Sequence, residues 1–157
     1  VIYDALHEEF SKTGYTHTLI LLEEHGEQYI VDAGFGNNIP LMAVPLDGRT
    51  VSSTNGDYRI EGNDLYMKRR YRDEQFVLAY RFDTQPITKS QLRTSQQIIE
   101  NSEDSVFNKR PLLTKCTEDG TVTLAGNDLT IMKNGHKTLR TLTDTEKEAA
   151  KKQYFYQ

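Results

Sequence analysis

One cysteine, Cys116, occurs in 157 residues. That excludes an intrachain disulfide framework and makes a reducing, cytoplasmic setting the expectation. No apolar run approaches the roughly 18 residues that cross a bilayer, so no membrane-spanning helix is expected. Neither sign of charge dominates. Nineteen Lys and Arg against 23 Asp and Glu leave a formal net charge of −4, and long-range attraction to nucleic acid or to an anionic membrane is not expected. Internal repeats, low-complexity tracts and a clear linker are missing. The opening Val1-Ile2-Tyr3-Asp4-Ala5 has neither the basic region nor the apolar core of a secretory leader and reads as an entry segment. Gly34-x-Gly36 lacks a third glycine and a following helix, which excludes a dinucleotide-phosphate loop. His7, His25, His136 and Cys116 share no metal-ligand spacing, and no metal is expected.

What is present fits a globular chain. Apolar residues make up 36%, with nine Tyr and six Phe, more than a disordered chain carries. Thr, Leu and Ile crowd residues 16–23, and 27–33 reads Glu-Gln-Tyr-Ile-Val-Asp-Ala. Between them Glu24-His25-Gly26 marks a tight turn, so the two runs are predicted to form a β-hairpin. Residues 34–50 hold two prolines and predict irregular chain. Strands are predicted at 58–60, 64–71 and 75–82, then at 112–117, 121–124, 128–133 and 137–142, with Gly- and Asn-bearing turns between them. Thr88-Lys89-Ser90-Gln91 reads as a capping box that opens a helix over 88–99. Thr143-Asp144-Thr145-Glu146 caps a second helix running to Tyr154. Short strands at this spacing predict a mainly β fold, an antiparallel barrel followed by a small α/β C-terminal lid. The predicted division is 1–85 for the barrel and 86–157 for the lid. Lys68-Arg69-Arg70 reads as a solvated strand face, with a phosphate contact as the sharper alternative. The Tyr154-Phe155-Tyr156 ending reads as a helix face packing on the barrel.

The hairpin register singles out two residues. A turn centred on His25-Gly26 pairs positions that sum to 51, which sets Asp32 opposite Leu19 and His17 opposite Gly34. Side chains alternate faces along a strand, so His17 and Asp32 point the same way. They are diagonal neighbours roughly 7 Å apart at the backbone, a gap that an imidazole and a carboxylate can bridge. The carboxylate would fix the tautomer, and the other ring nitrogen would face a nucleophile. The same face carries Leu21 and Ile30. A His–Asp pair that only stabilises the hairpin is the competing reading, because such groups are costly to bury unless they satisfy each other.

The flanking residues, Thr13-Gly14-Tyr15-Thr16-His17 and Val31-Asp32-Ala33-Gly34-Phe35-Gly36, resemble the arylamine N-acetyltransferase family. That family carries a catalytic His in a Thr-His strand and a catalytic Asp in a V-D-x-G-F-G turn at this spacing. Segments 65–70, 78–82, 101–107 and 117–124 are similar to its later strands and loops, so the resemblance covers most of the chain. It implies acetyl transfer from acetyl-CoA to an arylamine, arylhydrazine or N-hydroxyarylamine by a ping-pong Cys-His-Asp mechanism. His17 would be the base and Asp32 its orienting carboxylate. Phe35 and Phe107 would line the substrate pocket. Thr13, Gly14 and Ser105 would contact acetyl-CoA.

The family's nucleophile is the cysteine of an Arg-Gly-Gly-x-Cys motif in a helical N-terminal domain. This sequence contains no such motif, and the expectation is that the helical domain lies in a part of the protein outside these 157 residues. Cys116 falls in a predicted strand and reads as a buried structural thiol. Two alternatives stay open. One is a hydrolase of transglutaminase or cysteine-protease type. The other is a non-catalytic CoA-binding module.

Overall fold

The computed structural model describes residues 3, 4 and 9–156; His7 and most of the entry segment lie outside the described residues. The described chain is mainly β and entirely antiparallel, as its spacing predicts. In order it forms β1 (Tyr3–Asp4), β2 (Glu9–Phe10), β3 (Ile20–Glu24), β4 (Glu27–Val31), a 3-10 turn (Gly36–Asn38), β5 (Val44–Pro45), β6 (Val51–Ser53), β7 (Gly56–Glu61), β8 (Asp64–Arg69), β9 (Val77–Arg81), α1 (Lys89–Asn101), β10 (Leu112–Thr117), β11 (Gly120–Ala125), β12 (Asp128–Lys133), β13 (His136–Thr141) and α2 (Asp144–Tyr154).

Turn chemistry builds the hairpin. His25 and Gly26 have φ of 51° and 80°, the pair of positive φ values that a two-residue hairpin turn needs to match the strand twist. The register follows the predicted sum, from Glu24↔Glu27 to Ile20↔Val31. The ladder is shorter than expected. It stops at Ile20 and Val31, so His17 and Asp32 lie just beyond its open end.

Strands β3, β4 and β5 form one sheet, and β6 to β9 form a second. The residues between the prolines are not wholly irregular. Val44–Pro45 pairs with Tyr29 and Ile30 as a short edge strand, the place in a sheet where proline's missing N–H costs least. The inner faces of the two sheets share one core built on Ile30, Val44, Tyr58, Ile60, Leu65 and Tyr80. Among the described residues the two sheets face each other without closing into one hydrogen-bonded ring.

Both predicted capping boxes form. Thr88 accepts from the Gln91 backbone and Gln91 reaches back to Thr88; Thr143 and Glu146 repeat the arrangement. Strands β10 to β13 make a four-stranded meander. Its alternation is two-faced: Val122, Leu124 and Leu129 pack with Leu142 and with Ala150 of α2 in a second core. Tyr154 and Phe155 join that second core, so the end of α2 packs on the meander rather than on the β3–β9 sheets, while Tyr156 is exposed. In the basic stretch, Arg69 is not a solvated charge: its guanidinium makes two bonds to Asp73, at 2.7 and 2.8 Å, and closes the β8–β9 turn. Among the described residues no helix is long and apolar enough to cross a membrane.

Candidate active site

At the open end of the β3–β4 hairpin the His17 and Asp32 side chains meet. His17 Nε2 lies 2.8 Å from Asp32 Oδ2. The Asp32 side chain is fully buried and the His17 side chain is 15% exposed. A carboxylate in that position is costly unless its oxygens are satisfied, and here they are. Oδ1 accepts from the Gly34 backbone N–H at 2.8 Å. Oδ2 accepts from His17 and also from the Tyr80 hydroxyl at 2.9 Å. Burial, the largest single influence, pushes the Asp32 carboxyl up. The hydrogen bond and charge of His17, the Gly34 amide and the Tyr80 hydroxyl together outweigh it and hold the group below its ordinary value of 3.8. Asp32 is therefore charged at neutral pH.

The pairing through Nε2 leaves Nδ1 as the nitrogen available for proton exchange. Gly34 guards access to it. A Cβ at that position would sit 3.1 Å from His17 Cε1 and 3.6 Å from Nδ1. The requirement is one of space: just beyond the end of the ladder Gly34 lies against the His17 ring, and any side chain there would press on it.

Tyr80 is the site residue that sequence reasoning missed. Its strand pairs Met67 with Val77 and Tyr66 with Leu78, then slips so that Leu65 pairs with Tyr80. The slip is a β-bulge at Ala79. Without it, alternation from the inward Val77 would turn Tyr80 outward; with it, Tyr80 faces the core and Asp32. Burial, followed by the Asp32 charge, pushes its phenol far up, so it stays a neutral donor. A tyrosine in an apolar strand needs a partner for its hydroxyl, and that was the available signal.

Phe35 packs beside the His17–Asp32 pair, although it does not border the cavity next to His17. Its ring centroid lies 5.7 Å from that of His17 and 5.1 Å from that of Tyr80, edge-on to the latter. Thr13 and Gly14 form the turn that leads into His17. Gly14 N donates to Ser11 O at 3.1 Å, and the Thr13 hydroxyl is 2.7 Å from that of Ser11. Gly14 takes φ of 68° with open space where a Cβ would stand. Two expected residues are not brought in. Ser105 is 2% exposed, and its hydroxyl donates to Ile99 O at 2.7 Å while accepting from Phe107 N. It fastens the end of α1 and is not offered to a ligand. Phe107 is 65% exposed at the tip of that loop and does not border the cavity beside His17. Cys116 is half-buried on β10, and burial pushes its thiol up, the reverse of what a thiolate nucleophile requires.

A cavity of about 810 Å³ opens beside His17. Leu19, Leu21 and Ile30 give it an apolar wall, and Ser90, Thr94 and Ser95 of α1 give it a hydroxyl-bearing one. Ser95 Oγ donates to Tyr15 O at 2.9 Å, which ties the helix to the segment before His17.

The N-acetyltransferase family model matches residues 2–156. An uncharacterized acetyltransferase of Bacillus subtilis, YvcN, is 32% identical over 124 residues, covering 76% of this chain and 49% of the relative. Arylamine N-acetyltransferase C from Bacillus anthracis superposes with a TM-score of 0.89 at 26% identity, over 99% of this chain and 62% of that one. A Bacillus cereus arylamine N-acetyltransferase with a Cys-His-Glu catalytic triad gives a TM-score of 0.86 at 34% identity, over 96% of this chain and 60% of that one; here the carboxylate bound to the histidine is that of Asp32. The chain thus spans half to about three fifths of these relatives' lengths. Sequence, fold and the family match over residues 2–156 lead to one assignment: the chain belongs to the arylamine N-acetyltransferase family.

Proposed function

We propose that this chain supplies the base and the orienting carboxylate for acetyl transfer from acetyl-CoA to an arylamine, arylhydrazine or N-hydroxyarylamine. The observation that carries the reading is the His17 Nε2–Asp32 Oδ2 bond on a buried carboxylate, which leaves Nδ1 unclaimed by the pair on a histidine that borders an open cavity. His17 Nδ1 takes the proton of a cysteine thiol supplied from outside these 157 residues. The thiolate attacks the thioester carbonyl, and the CoA sulfur leaves with the proton returned by the imidazolium. The amine nitrogen then attacks the acyl-cysteine, and His17 accepts the nitrogen's proton as the thiol is restored. Asp32 keeps the ring in the Nε2–H tautomer and stabilises each imidazolium.

Phe35 supplies an aromatic wall next to the ring. Thr13 and Gly14 lie on the approach to His17, and their turn has the hydroxyl and the open glycine face that would admit the pantetheine arm of acetyl-CoA. Residues 1–85 act as the base-bearing unit and 86–157 as the α/β unit beside it. The test is made on the full-length gene product. Mixing it with acetyl-CoA should give an acetyl-enzyme detectable by intact mass, and adding an arylamine should discharge it to the acetylated amine. Absence of both products would refute the reading.

A further inference from the structure

The second face of the β10–β11 ladder carries a pair of hydroxyls at its centre. Thr114 and Thr123 are direct partners across it, their hydroxyl oxygens 3.2 Å apart. Asn37, in the 3-10 turn, fits its amide between them. Its Nδ2 donates to Thr123 Oγ1 at 2.7 Å, and its Oδ1 accepts from Thr114 Oγ1. On the other side of the turn, Asn55 Nδ2 donates to the backbone carbonyls of Asn37 and Ile39, at 3.3 and 2.6 Å. The Tyr58 hydroxyl also donates to Ile39 O. Both units therefore grip the short segment that follows Asp32-Ala33-Gly34-Phe35. Phe35 is the residue immediately before the turn, and its ring packs on both His17 and Tyr80.

We propose that Asn37 is a positioning residue: its amide, held by Thr114 and Thr123, makes the C-terminal sheet set the orientation of the His17 imidazole through Phe35. A polar contact between units is weak unless every group is satisfied, and here both ends of the amide are used. The inference rests on His17 being the base, but its readout does not pass through acetyl transfer.

The experiment uses the 157-residue chain with ring-¹⁵N-labelled histidine, read by NMR at a pH where His17 is neutral. His25 and His136 serve as internal references. The unsubstituted chain should show His17 in the Nε2–H form. Thr114→Val/Thr123→Val together, and Asn37→Ala alone, should release about a tenth or more of it to the Nδ1–H form, while Thr123→Ser should match the unsubstituted chain. An unchanged His17 tautomer in the double variant, even with a lowered unfolding temperature, would show a merely structural contact and overturn the proposal. Thr123→Ser behaving like the double variant would overturn it as well, because the hydroxyl would not be the determinant. Failure of the acetyl-transfer reading would appear in the enzyme assay and leave these spectra unaffected.

Discussion

The Tyr80 hydroxyl and the His17 imidazole donate to one and the same oxygen, Asp32 Oδ2, at 2.9 and 2.8 Å. Tyr80→Phe removes one donor and leaves the His17 and Gly34 bonds in place. The expected loss of stability is about 1.5 kcal/mol, the net worth of a hydrogen bond to a charged group. With one donor fewer on its oxygen, the Asp32 carboxyl should be held down less and titrate higher than in the parent. Chemical denaturation checks the first effect and a carboxyl NMR titration the second; a midpoint for Asp32 that does not rise would contradict the shared-oxygen account.

His17→Gln keeps a polar side chain but has no proton to exchange at neutral pH. In the full-length protein it should lower acetyl transfer by about a thousandfold or more, the usual contribution of a general base. Single-turnover acetylation measures it, and activity within tenfold of the parent would remove His17 from the mechanism.

For Gly34→Ala the obstacle is the 3.1 Å approach of the new Cβ to His17 Cε1. The ring must shift by a few tenths of an ångström. A misplacement of that order should cost roughly tenfold in the acylation rate, with little change in unfolding temperature because Gly34 is exposed. A rate equal to the parent would show that the ring has slack.

The depressed carboxyl of Asp32 predicts acid sensitivity of a definite sign. The unfolded chain binds this proton more readily than the folded one, so the group's stabilising contribution is complete well above its ordinary value of 3.8 and is lost as the pH falls through the lower folded value. Asp32→Asn should be less stable near neutral pH and should flatten the acid limb of a stability–pH curve between about pH 5 and pH 2. Parallel curves for the two proteins would show that the carboxylate is not stabilised in the fold.

Much of the site was legible in the sequence because it depends on local rules. A two-residue turn at His25-Gly26 fixes the pairing sum, and alternation then places His17 and Asp32 on one face. Both capping boxes were equally legible, since a threonine and a Glu or Gln three residues on meet through the backbone of a single turn.

The sequence by itself determined the hairpin register, the His17–Asp32 pairing and the antiparallel strand order, all set by short-range turn chemistry and period. Only the tertiary structure decided that Tyr80 faces Asp32, because a one-residue bulge against β8 reverses its parity. It also decided that Asn37 bonds residues 77 and 86 positions away, and that Ser105 is spent on holding the end of α1 while Phe107 points into solvent. Those outcomes depend on which segments pack together over long separations, and no local period encodes them.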